Sequence, residues 1–169
     1  NVSDTALWVA VYRAMESERK DALFRDPFAR RLAGERGQAI VDAMPRGKEL
    51  AWAMIVRTAV MDELILQCIR DGATSILNLA AGLDTRAYRL DLPESLHWYH
   101  VDFPSMVEYV KDKLTGEKPR CALEYVAADL REPEQRDAIF RKAAENGPVL
   151  VITEGLLVYL PAENVADLA

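Results

Sequence analysis

The chain has 169 residues, half of them hydrophobic, with 28% charged side chains and a formal net charge of −6. That is enough apolar material for one packed domain and too little for two large ones. The acidic balance, with no stretch rich in Lys and Arg alone, excludes a broad nucleic-acid or anionic-membrane surface, and no apolar run approaches the roughly 20 residues a membrane helix needs.

Residues 1–20 interleave apolar residues with Arg13, Glu16, Glu18, Arg19 and Lys20, a pattern unlike a secretion signal, so a cytoplasmic location is expected. Ser3 or Asp4 is placed to cap a first helix, "TALWVAVYRAMESERK". Asp26-Pro27 opens a second, "DPFARRLAGERG", with proline in its first turn. A third is expected from about Lys48 to Arg70, stopping at Asp71-Gly72. Residues 1–72 thus form a helical cap.

From residue 73 the period changes. "TSILNL", "LHWYHVD", "LEYVAAD" and "PVLVITEG" are short, rich in branched and aromatic residues, and separated by helical stretches. Such alternation predicts βαβ units, and so a doubly wound, mainly parallel α/β sheet over residues 73–169, packed with the cap as one unit. Strand 149–155 is apolar almost throughout, as a strand covered on both faces should be. Cys68 and Cys121 stand apart with no CxxC or Cys/His cluster, so reduced core thiols and no metal are expected.

In this architecture ligands bind beyond the carboxyl ends of the strands. The first strand ends near Leu79 and is followed by the turn Ala80-Ala81-Gly82. Asp102 closes the second strand, 20 positions after Gly82, where an acid is placed to accept hydrogen bonds from ribose hydroxyls. A glycine chosen only for a tight turn, with an aspartate capping the next helix, would give the same letters. A dinucleotide fingerprint wants G-x-G-x-x-G; here the turn reads A-A-G-L-D-T, and Asp84 would repel a pyrophosphate. A nucleoside without phosphates fits better, and S-adenosylmethionine is the common one. Asp129 and Glu154 close two further strands, so three of four strands end in a carboxylate on one rim.

On the third helix, Leu50, Met54, Met61, Leu64 and Cys68 project within about 40° of one direction, with Arg57 in the middle of the stripe. A guanidinium there needs an anion, either a protein carboxylate or the carboxylate of a bound amino acid. His97 and His100 fall in or beside the second strand, and Trp8, Tyr12, Met15, Trp52 and Trp98 read as core. No catalytic base is assigned.

"NLAAGLDTRAYRL", "VDFP", "AADLR" and "EGLLVYLP", with Arg57-Thr58 and the upstream "DPFARRLAG", resemble the leucine carboxyl methyltransferase family. Within it they look closest to the bacterial branch of S-adenosylmethionine-dependent O-methyltransferases. The resemblance runs from about Asp4 to Asn164. It implies a Rossmann-like methyltransferase sheet in which Arg57 holds the methionine carboxylate and Ala80-Ala81-Gly82 passes beneath the methionine part. Asp102 would bind the ribose, Asp129 and Leu130 would frame the adenine, and Glu154 would lie near the amino group. Arg25 matches a position where relatives place a basic residue near the cofactor. The acceptor implied is a small-molecule carboxylate or hydroxyl.

This chain departs from the family in two ways. Relatives read L-G-A-G where it has Leu79-Ala80-Ala81-Gly82, so the methyl group of Ala80 is expected to crowd the cofactor or shift the turn. Relatives also continue past "EGLLVYLP", and this sequence begins at Asn1 rather than Met. The chain is therefore expected either to be a piece of a longer protein or to have a second copy covering the edge of strand 149–155. A non-catalytic cofactor-binding or interaction protein is the competing function. A nicotinamide-dependent oxidoreductase is disfavoured by the missing glycines.

Overall fold

Apolar residues at helical spacing build three helices before residue 72. They are α1 (Val2–Ser17), α2 (Ala29–Ala43) and α3 (Gly47–Arg70) in the computed structural model, which describes residues 2–168. α1 begins ahead of its expected caps: Asp4 lies within its first turn, and the Ser3 side chain falls outside the described residues. Asp26-Pro27 does not open α2. The Asp26 carboxylate instead takes the Phe28 N–H at 3.1 Å in a turn ahead of the helix. α2 then runs past its expected end, kinked at Gly34, where φ is 58° and ψ −172°.

The second half alternates as its pattern requires. β1 (Ser75–Leu79), β2 (His97–Asp102), β3 (Ala122–Ala127) and β4 (Val149–Ile152) are joined by α4 (Arg86–Arg89), α5 (Pro104–Lys113) and α6 (Pro133–Ala144). A 3-10 turn at Leu157–Tyr159 and α7 (Ala162–Leu168) follow. All pairings are parallel, in the order β3-β2-β1-β4, with Asn78 opposite both His100 and Ile152. The chain steps outward from β1 to β3 and then returns to the far side of β1. The point beyond the carboxyl ends of β1 and β4 is thus the topological switch point, where α/β sheets bind ligands. This is a doubly wound, Rossmann-like α/β fold.

Alternation along the strands loads both faces. Ile76, Trp98 and Ile152 pack with Leu7, Val11, Tyr12, Ile55 and Ile65 of the cap and with Val110 of α5. Leu77, Leu79, Tyr99 and Val101 pack on the opposite face with Ile139 and Ala143 of α6. Among the described residues no helix is long and apolar enough to cross a membrane.

Two further expectations need correction. β4 is four residues long rather than seven; among the described residues it pairs with β1 alone, the edge expected of it, and Val151 is 40% exposed. What its apolar letters overstate is the cover on its faces, since only Ile152 of the four is fully buried. The second concerns α3. Leu50 and Leu64 are 52% and 54% exposed, while Ala51, Ile55, Thr58, Asp62 and Ile65 are buried. The core face lies about 100° round the helix from the apolar stripe. Two of its five members are polar and are satisfied internally: Thr58 donates to the Met54 carbonyl, and Asp62 accepts from two arginines. A count of apolar letters could not find a face built partly from buried ions.

Candidate functional site

At the switch point lies a cavity of about 480 Å³, within the range of small-molecule sites. Its floor is the turn after β1. Ala80 and Gly82 both have left-handed backbone, with φ of 51° and 55°. Glycine takes that conformation freely, whereas Ala80 is strained by about 1–2 kcal/mol.

The turn is tied down through its own amides. Ala81 N–H donates to the Val101 carbonyl at 3.0 Å, Gly82 N–H to Asp102 Oδ2 at 2.7 Å, and Asp84 N–H to the Ala81 carbonyl at 3.0 Å. Asp102, 9% exposed at the end of β2, accepts the Phe103 N–H on its other oxygen at 2.7 Å. Each of its oxygens therefore keeps a lone pair that the protein does not use.

The rim holds the remaining acids. Asp129 and Leu130 follow β3, and the Asp129 carboxylate is gripped by the Arg131 guanidinium at 2.6–3.2 Å. That hydrogen-bonded pairing holds Asp129 below the usual carboxylate range. Phe103, 43% exposed, sits beside them on the cavity wall. Glu154 lies two residues beyond β4, with Oε1 2.8 Å from Arg57 Nε and Oε2 accepting from Arg86 Nη1 at 2.8 Å.

Beneath the rim runs a buried charge network. Arg86 Nε donates to Asp62 Oδ1 at 2.7 Å and its Nη1 to Asp84 Oδ2 at 2.8 Å, while Arg89 holds Asp62 through two further bonds. Asn78 also donates to Asp84 Oδ2. Burial raises the Asp84 pKa, but the Arg86 charge and N–H outweigh it and bring it down to about 2. Asp84 is thus neutralised by its own neighbour, and its charge does not stand free toward a ligand as the sequence suggested. A parallel pair joins α1 to the turn: Arg13 donates to Asp26 Oδ2 at 2.9 Å and to the Leu83 carbonyl at 2.6 Å.

The cavity brings together Arg57, Ala80, Ala81, Gly82, Asp102, Asp129, Leu130 and Glu154. It does not include Arg25, which is exposed and caps the end of α1 by donating to the Ser17 and Lys20 carbonyls. Nor is Arg57 a lone buried guanidinium: its side chain is 37% exposed and faces a protein acid. Tyr12 is core and donates to the Gly47 carbonyl. His100 is buried against Tyr125, and burial pushes its imidazole below the ordinary value. Neither it nor His97 lines the cavity. No group of three or more potential metal ligands occurs among the described residues. Arg86, Asp62 and Arg89 were missed by sequence reasoning; the "DTR" after Gly82 was the available signal for Arg86.

A doubly wound parallel sheet with a carboxylate-rimmed crevice at its switch point defines a nucleotide- or nucleoside-cofactor fold. The family model for leucine carboxyl methyltransferases matches residues 6–169. A protein of Streptomyces coelicolor, assigned by name to the S-adenosyl-L-methionine-dependent methyltransferases, is 38% identical over 95% of this chain and 60% of its own length. Relatives named in the same way occur in Frankia alni, at 36% identity over 97% of this chain and 61% of the relative. Another from Mycobacterium tuberculosis shows 35% identity over 96% and 58%. The chain belongs to the leucine carboxyl methyltransferase family. It spans about 60% of the length of the curated relatives it matches.

Proposed function

We propose that the chain binds S-adenosylmethionine in this cavity and serves an O-methyltransferase reaction on a small-molecule carboxylate or hydroxyl. The observation that carries this reading is the state of the turn amides. In a pyrophosphate site the amides after β1 point at the ligand, whereas here those of Ala81, Gly82 and Asp84 are consumed by protein oxygens. What the cavity offers instead is acceptor capacity on Asp102 for ribose hydroxyls, and Arg57 and Glu154 for an amino-acid zwitterion. Arg57 Nε is buried without a hydrogen-bond partner of good geometry, which suits it to an incoming carboxylate.

The bound cofactor supplies a methyl carbon already activated by positive sulfur. The chain's share is then to hold and orient the ligand and to exclude water. Asp102 fixes the nucleoside end, and Arg57 with Glu154 fixes the amino-acid end. A carboxylate acceptor is ionised at neutral pH, with a reference pKa near 4, and needs no base.

The test has two arms. Calorimetry should register S-adenosylhomocysteine binding and no NADH binding; the reverse result would refute the reading. Methyl-labelled cofactor offered with carboxylic acids and phenols should then give a labelled product. An alkali-labile product identifies a methyl ester, an alkali-stable one a methyl ether.

A further inference from the structure

Arg86 is 5% exposed at its side chain and holds three carboxylates from three elements: Asp62 of α3, Asp84 of the turn and Glu154 beyond β4. Glu154 is therefore gripped on Oε2 by a guanidinium that cannot leave without stranding two other acids. Its other oxygen, Oε1, meets Arg57, whose side chain is 37% exposed and whose Nε makes a charge contact without hydrogen-bond geometry. The two contacts on one carboxylate are unequal: the one from Arg86 is a hydrogen bond from a guanidinium locked to two other acids, and the one from Arg57 is a charge contact without hydrogen-bond geometry on a side chain that reaches the cavity.

We infer that Arg86 is a positioning residue: it holds Glu154 as the receptor for a ligand's ammonium group, and the Arg57–Glu154 contact is the one that a bound zwitterion replaces. This rests on the reading that the ligand carries the amino-acid part of S-adenosylmethionine. Binding exchanges one internal ion pair for two, Arg57 with the ligand carboxylate and Glu154 with the ligand ammonium, while the Arg86–Glu154 bond stays in place. Fixing Glu154 in advance removes the cost of ordering it at the moment of binding.

Paired titrations with S-adenosylhomocysteine and 5′-methylthioadenosine test this, because the second ligand keeps the nucleoside and thioether and lacks the amino-acid part. The chain should bind S-adenosylhomocysteine at least about tenfold more tightly. Arg86→Lys keeps the charge but cannot reach three carboxylates. It should lose about tenfold in S-adenosylhomocysteine affinity and less than about twofold for 5′-methylthioadenosine. Equal losses for both ligands, which a merely structural role would give, or no loss for either, would overturn the inference. If Arg86→Lys does not fold, Glu154→Asp decides, since it withdraws the carboxylate from Arg86 by one methylene. It should show the same selective loss, and unchanged affinity would be fatal. A wild-type chain that binds both ligands equally refutes this inference and leaves the nucleoside reading standing. One that binds neither refutes the proposed function and this inference with it.

Discussion

The Gly82 N–H donates to Asp102 Oδ2 at 2.7 Å, joining the turn after β1 to the end of β2 across 20 positions of sequence. The same carboxylate takes the Phe103 N–H, so one side chain shapes both the cavity floor and the start of α5. Asp102→Asn puts an amide donor against one of those two N–H groups. It should lose about 1–3 kcal/mol of stability in urea titrations, together with a larger fractional loss of S-adenosylhomocysteine affinity than of stability.

Ala80 and Gly82 make a second, opposed pair of predictions. Ala80 pays for its left-handed backbone, so Ala80→Gly should stabilise the chain by up to about 1 kcal/mol, net of glycine's greater unfolded-state entropy. A Cβ at Gly82 would meet only the Ala6 Cβ at 3.5 Å, an ordinary contact, so Gly82→Ala should cost only its backbone strain, about 1–2 kcal/mol. Thermal melts of the two variants should move in opposite directions.

Asp84 gives the pH dependence a sign. Its folded pKa is about 2 and its unfolded value about 3.9. The stabilisation is therefore fully present above pH 4 or so and is lost as pH falls through 2. It amounts to something on the order of 2 kcal/mol. Urea titrations from pH 6 to pH 2 should show the advantage of wild type over Asp84→Asn shrinking within that window and constant above it.

Asp26 is 2% exposed and accepts from Arg13, Thr85 and the Phe28 N–H. Asp26→Ala strands the Arg13 guanidinium beneath the turn and should cost about 3–5 kcal/mol. Trp52→Ala, at a position 60% exposed, should change stability by less than about 0.5 kcal/mol. Comparable losses in the two variants would contradict the assigned roles.

The bare edge of β4 leads to the proposal that another strand pairs there, from a second copy or from further chain. Sedimentation of the 169-residue chain should show self-association that Val151→Lys suppresses, since an edge charge opposes strand pairing. A monomer unaffected by the substitution would remove the second-copy form of this proposal.

The sheet was legible because its strands are short, branched and spaced by helices, and Asp102 was legible as a strand-end acid 20 positions after Gly82; the bond it accepts from the Gly82 N–H was not. The α3 face was not: Asp62 looks like a solvated acid until Arg86 and Arg89, 24 and 27 positions later, are folded against it. Arg25 illustrates the converse. A basic residue matched to a family position found nearer partners in the carbonyls at the end of α1. Long-range ion pairs leave no periodic mark in a sequence, which is why the rim acids could be named and the arginine that positions one of them could not.

In the proposed complex Asp102 and Arg57 grip opposite ends of one phosphate-free ligand. Calorimetric titration of S-adenosylhomocysteine into wild type, Arg57→Ala and Asp102→Ala tests it most directly. Wild type should bind and each variant should lose at least about tenfold in affinity, with melting curves showing both variants folded. Affinity retained in both would contradict it.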